Sequence, residues 1–269
     1  MIRPMHAAPD AKVGRPHFVV TGCARSATTY TAQLLSAAGT TCTHEAVFGP
    51  RTAGFRGWGP AQGDSSWLAV PFLQELPGET VVVHQVREPL GAIDALVRFQ
   101  LFSTSGSGIR RDARALTRYL RGGGVRALVK AIDPRRRLGR GLRLRGDFVA
   151  FLRQHCPEAF LEPNDVARAA RHWITWNDRI ERTATAAGLR YLQVQVERLG
   201  AETLSSVVVT LGGNSDGTVI RAALATVAKD ANRQPGGPSS PITRHDLGDT
   251  LASELESAAR RYGYTIDVS

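Results

Sequence analysis

Residues 17–39 read His-Phe-Val-Val-Thr-Gly-Cys-Ala-Arg-Ser-Ala-Thr-Thr-Tyr-Thr-Ala-Gln-Leu-Leu-Ser-Ala-Ala-Gly, and they constrain the rest of the chain more than any other stretch. Phe18-Val19-Val20 is a short apolar run of the kind that forms a fully buried strand. Gly22 marks a turn, and Tyr30, Leu34 and Leu35 then recur at helical spacing until Gly39, which suits a helix C-terminus. A strand, a glycine turn and a helix aim backbone N–H groups and a helix dipole at one point, which is an anion site. Arg25 adds a positive charge there, and Ser26, Thr28 and Thr29 add hydroxyls. The stretch reads as a phosphate- or sulfate-binding loop.

The downstream chain repeats this strand-and-helix pattern. Residues 40–44 predict a short second strand that ends at Glu45, and 46–66, rich in Gly, Pro and Arg, predict a loop. Residues 67–76 predict a short helix. Residues 80–86 (Thr-Val-Val-Val-His-Gln-Val) predict a β-branched strand, and Pro89 suits the first position of a helix running to about Phe102. Asp147 is expected to cap a helix ending near His155, and a long helix is expected over 164–187 with Val166, Trp173, Ile174 and Ile180 inward. Residues 189–196 alternate as a strand. Helices near 200–212, 217–229 and 246–262 complete the pattern, with a Pro/Gly-rich loop at 232–242 that carries Arg233. Strands alternating with helices predict a parallel α/β sheet.

Charge separates one segment from the rest. The chain of 269 residues has a net charge of +10, but residues 107–145 hold twelve Arg and Lys130 against Asp112 and Asp133, a net +11. The remainder is near neutral, so this reads as a near-neutral domain with one basic insertion. Such a patch suits an anionic acceptor, an acidic glycan, a lipid surface or nucleic acid. Only Tyr119 is interleaved among its arginines, which argues against base stacking on nucleic acid. Cys23, Cys42 and Cys156 are too few and scattered for a disulfide framework or a zinc site, so no metal is expected. No signal-peptide core and no run of membrane-spanning length is present, and the expectation is a soluble, cytoplasmic protein.

The first loop is not that of a nucleotide kinase. After Gly22 and four residues stands Ala27-Thr28-Thr29, where the triphosphate pattern requires Gly-Lys-Ser/Thr. The missing lysine disfavours a magnesium-bound triphosphate and leaves an anion pocket built on Arg25. The run Thr21-Gly22-Cys23-Ala24-Arg25-Ser26-Ala27-Thr28-Thr29, followed by Leu34-Leu35, resembles the 5′-phosphosulfate loop of sulfotransferases, with Ala27 in place of a glycine. The resemblance implies a three-layer, P-loop-like α/β fold with a central parallel sheet, here a single domain over 1–269 with an N-terminal tail (1–16) and a basic helical insertion (103–146) on the acceptor side. It implies 3′-phosphoadenosine 5′-phosphosulfate as donor, adenosine 3′,5′-bisphosphate as product, and a cradle of Gly22, Arg25, Ser26, Ala27, Thr28 and Thr29.

Two further segments extend the likeness. Val86-Arg87-Glu88-Pro89-Leu90 resembles the family's 3′-phosphate motif, in which a serine follows eight residues after the arginine; here that position is Ala95. Ser103, Thr104 or Arg233 are the candidates to replace it. An Arg where a strand ends and a helix begins is in any case a good phosphate clamp, and the competing structural reading is an Arg87–carboxylate pair. His44-Glu45-Ala46-Val47-Phe48 is similar to the segment that holds the family's catalytic Glu. Glu45 is then the expected base, with His44 as neighbour or substitute, because transfer to an alcohol requires a proton acceptor. His84, Trp173 and Trp176 read as core, and Glu197 as structural. The expected activity is sulfuryl transfer to a hydroxyl of a small molecule, lipid or glycan, with the acceptor and any homo-oligomer left open. A P-loop small-molecule kinase and a non-catalytic binder using 107–145 are the competing readings.

Overall fold

The computed structural model describes residues 15–102, 146–228 and 241–268. The basic helical insertion expected over 103–146 therefore lies, but for its last residue, outside the described residues, as do Ser103, Thr104, Arg233 and most of the N-terminal tail. Five parallel strands form one sheet: β1 (Phe18–Thr21), β2 (Cys42–His44), β3 (Gly63–Ser65), β4 (Val81–Val86) and β5 (Arg190–Gln195), in the order β2-β3-β1-β4-β5. The central position of β1 and β4 follows from composition. Both strands are buried along their whole length, whereas the edge strand β5 is only partly covered.

Alternation along β1 and β4 divides the interior in two. Phe18, Val20, Val81 and Val83 face one core with Leu34 and Leu35 of helix α1 (Thr28–Ala37). Helices α5 (Ala201–Thr210) and α6 (Gly217–Thr226) add Leu204, Val207, Val208 and Ile220 to that core. Val19, Val82 and Val86 face the other core. It holds α2 (Pro89–Phe99), α3 (residues 146–155), α4 (Asp165–Ala186) and α8 (Asp249–Arg261), the last preceded by the single turn α7 (Arg244–Leu247). Helices on both faces of a parallel sheet give the expected three layers.

Most element assignments hold, and four differ. Gly63–Ser65, inside the expected loop, is a strand: β3 pairs with both β1 and β2. Gly63 sits under the Phe18 ring, where a Cβ would stand 2.5 Å from the ring, so the residue that suggests a loop is the one the packing requires. Residues Trp67–Glu75 form a 3-10 helix, because Pro71 lacks the N–H that an α-helical ladder needs. Asp147 does not cap α3; it lies within that helix and pairs with Arg51 at 2.9 Å. The last helix is broken at Gly248, whose φ of 76° separates α7 from α8.

Candidate functional site

Because every strand runs the same way, the strand C-termini share one edge of the sheet. There the chain leaves β1 for α1 on one face and leaves β4 for α2 on the other. This divergence opens a crevice between β1 and β4, the place where open α/β sheets bind ligands. Residues 22–27 and Arg87-Glu88 line that point, so the two segments singled out as anion-binding are brought together.

The first loop is tightly wound. Arg25 and Ala27 both adopt left-handed backbone conformations, with φ of 70° and 62°. Ala27 is the N-cap of α1 and provides no side-chain cap, which leaves the helix N-terminus to other acceptors. Gly22 has a separate reason to be glycine. A Cβ there would lie 2.1 Å from the Gln85 carbonyl oxygen of the neighbouring strand, so Gly22 permits β1 and β4 to close together. Gln85 Nε2 donates to the Ser26 carbonyl. The hydroxyls of Thr21 and Ser26 are buried without a partner among the described residues.

Arg87 reaches across the crevice, and its Nη1 donates to the Arg25 carbonyl at 2.8 Å. Among the described residues it makes no ion pair, which sets aside the carboxylate-paired reading of Arg87. Arg25 lies over the Phe99 ring at 5.3 Å. Burial pushes the Arg25 pKa down, and the neighbouring guanidiniums of Arg87 and then Arg98 push it further. Arg98, on α2 and paired to Asp94 at 2.6 Å, was not singled out in the sequence. An Arg four residues after an Asp is an ordinary helix-surface pair and gives no sequence signal of a site. Ala95 is buried on the same helix and offers no polar group, so the serine expected there has no substitute at that position.

Glu45 stands at the end of β2 with φ of 52°. Its carboxyl is pushed up to about 7, first by burial, then by the charge of Asp64, with a hydrogen bond from the Trp67 side chain acting in the opposite direction. His44 Nε2 lies 3.8 Å from Glu45 Oε1, 3.1 Å from Thr29 Oγ1 and 3.3 Å from Thr28 Oγ1. His44 thereby connects Glu45 to the first turn of α1. Burial lowers the His44 pKa, and Asp64 partly offsets this, so the ring is neutral near pH 7. Asp64 is fully buried on β3. It accepts from Thr43 Oγ1 at 2.7 Å and from the N–H groups of Ala46, Val47 and Phe48 at 3.2–3.3 Å. It fixes the turn that carries Glu45, and sequence reasoning missed it because β3 itself was read as loop.

Beyond Glu45, residues 43–61 enclose an open cleft of about 1090 Å³, lined by Glu45, Val47, Arg51, Arg56, Trp58 and Asp147 among others. Glu45 is therefore shared between the first turn of α1 and the cleft. The residues read as core are core. His84 bonds Tyr191 Oη at 2.6 Å and Asn177 Oδ1 at 2.9 Å, and Trp173 and Trp176 are fully buried. Glu197 accepts from the Glu88 N–H and from Tyr264 Oη. Burial raises the Cys23 thiol well above its ordinary pKa, which makes it a poor nucleophile. The described residues contain no cluster of metal-ligating side chains, and no described helix is long and apolar enough to cross a membrane. Comparison of the chain with protein-family models, with curated proteins and with solved structures yields no match.

Proposed function

We propose that this protein is a sulfotransferase with a P-loop-like fold that uses 3′-phosphoadenosine 5′-phosphosulfate to sulfate a hydroxyl. The supporting observation is the convergence, at one crevice, of Arg25, Arg87 and the uncapped N-terminus of α1, with a carboxyl of raised pKa held against the same helix turn. The residues present fit a dianionic or more highly charged group. The Arg25 guanidinium, held below its ordinary proton affinity by burial and then by Arg87, is stabilised by an anion placed beside it, and the loop contains no lysine suited to a triphosphate.

The donor, when bound, supplies an activated sulfuryl group. Arg25 and the N-terminal amides of α1 hold its 5′-phosphosulfate end, and Arg87 holds its 3′-phosphate. Glu45 accepts the proton of the acceptor hydroxyl as that oxygen bonds to sulfur. Arg25 neutralises the charge that grows on the phosphate oxygen as the old sulfur–oxygen bond breaks. Preorganised positive charge aimed at a developing anion is the main catalytic contribution in transfers of this type. Neutral His44 keeps Thr28, Thr29 and Glu45 in register. The localisation that suits this activity is cytoplasmic, and its partners are the donor and a hydroxyl-bearing acceptor.

Thermal unfolding tests the reading. Adenosine 3′,5′-bisphosphate in EDTA is expected to raise Tm, with about 2.7 kcal/mol of stabilisation at a hundredfold excess over Kd. Arg25→Ala and Arg87→Ala are each expected to remove most of that shift. Stabilisation by ATP with magnesium alone would instead support a kinase and overturn the proposal.

A further inference from the structure

The cleft that shares Glu45 has a lining with a definite chemistry. Its walls are largely apolar, with Val47, Pro50, Ala53, Trp58, Pro60 and Ala61. Trp58 is buried at the back of the cleft, with His17 stacked on it at 5.3 Å and 6° and Phe55 and Phe48 packed edge-on against it, so it offers little of its ring to a ligand. Polar side chains in the lining are mostly committed to the protein itself. Thr43 Oγ1 donates to Asp64, and Thr52 Oγ1 accepts from the Gly49 N–H at 2.8 Å and donates to the Val47 carbonyl. Arg51 and Asp147 neutralise each other. The lining contains no Asn, Gln, Ser, Tyr or His among the described residues. That leaves Glu45, as acid or base, Arg56, whose side chain pairs with no described carboxylate, and the buried indole N–H of Trp58, which has no partner among the described residues.

Such a lining discriminates among hydroxyl compounds. A sugar buried here would lose water from many hydroxyls and recover few hydrogen bonds, at a cost of roughly 1–3 kcal/mol for each unpaired group. A rigid apolar body loses nothing comparable, and about 1090 Å³ accommodates several fused rings. Arg51 and Asp147 cancel, and Arg56 is the cation of the lining that has no acidic partner among the described residues. We infer that the acceptor is a hydroxylated, mainly apolar acid, its ring body against the Val47, Pro50 and Pro60 walls, its hydroxyl at Glu45 and its carboxylate or similar anion at Arg56. This rests on the sulfotransferase reading for the chemistry at Glu45, but binding to the cleft does not.

Calorimetric titration of the full chain, with saturating adenosine 3′,5′-bisphosphate and without it, separates the two. The probes are 6-hydroxy-2-naphthoic acid, 2-naphthol and cellobiose. The hydroxy acid is expected to bind about tenfold more tightly than the naphthol, the contribution of one charge-assisted contact. Cellobiose is expected not to bind. Arg56→Gln should bring the hydroxy acid to the naphthol's affinity and leave the naphthol unchanged, and Arg56→Lys should restore part of the difference. Arg56 is exposed on a loop, so the fold of both variants can be verified by an unchanged Tm. Tighter cellobiose binding, absence of hydroxy-acid binding, or an Arg56→Gln variant that binds the acid as before would each overturn the inference. Bisphosphate binding without hydroxy-acid binding would refute the acceptor class alone. Hydroxy-acid binding without bisphosphate binding would refute the donor reading alone.

Discussion

At the scale of single residues, the site combines strain with a displaced proton affinity. Ala27 occupies a left-handed position at the head of α1, where a Cβ is unfavourable by roughly 1–2 kcal/mol. Ala27→Gly is therefore expected to raise stability by about 0.5–1 kcal/mol, read as a small increase in Tm, because relief of strain outweighs the added chain entropy. If Glu45 takes the proton of the acceptor, as proposed, turnover should rise with pH through about 7 and level off above it as the carboxyl ionises. Glu45→Gln is expected to reduce kcat by about a hundredfold or more while bisphosphate binding, followed by thermal shift, stays unchanged. Comparable turnover in the variant would remove Glu45 from the chemistry and direct attention to His44.

Among elements, the short strand β3 has a role out of proportion to its three residues. Gly63 admits the Phe18 ring, Asp64 gathers one hydroxyl and three N–H groups, and Ser65 Oγ donates to the Thr28 carbonyl at 2.8 Å. One strand thus ties the turn bearing Glu45 to the helix that follows the anion loop. Asp64→Asn keeps the shape but replaces one acceptor oxygen with a donor facing N–H groups. It is expected to cost about 3 kcal/mol in denaturant unfolding and to lower kcat more than donor affinity. None of this was legible as a strand, because Gly, Asp and Ser are the residues that ordinarily signal a turn. By contrast β1 and β4 were legible from their apolar runs, and the start of α2 from Pro89, since those signals are local.

For the whole molecule, buried histidines set the response to acid. His84 is held down to about 4 and His172 to about 3, each chiefly by burial. His84 has two hydrogen-bond partners, whereas both ring nitrogens of His172 have none, among Trp67, Phe102 and Trp176. In the unfolded chain both rings take up protons below about pH 6.5, which the folded state resists. Their contribution to stability is therefore complete above that pH and is lost as pH falls toward 4 and then 3. Glu45 acts oppositely: its raised pKa makes stability fall as pH rises from about 4.5 toward about 7. Burial lowers His44 and His155 in the same direction, so the histidines together outweigh Glu45 and leave a net acid-labile limb. His172→Phe should reduce the slope of unfolding free energy between pH 4.5 and 6 by about 1.4 kcal/mol per pH unit, with stability at pH 7 kept or improved.

The sequence by itself determined the elements whose causes are local. Apolar β-branched runs specified the buried strands, helical spacing specified α1 and α4, and Arg25, Arg87 and Glu45 stood out because each follows a strand. It also marked the one position, Ala27, where the resembled loop has glycine, and the left-handed backbone there supplies the reason. Only the tertiary structure decided what those residues share. Strand order opens the crevice between β1 and β4. The approach of β4 to β1 makes Gly22 obligatory. Burial beside Asp64 raises the Glu45 carboxyl into the range of a useful base. These are consequences of residues distant in the chain becoming neighbours, and proton affinity, charge repulsion and steric fit depend on such neighbours rather than on sequence order.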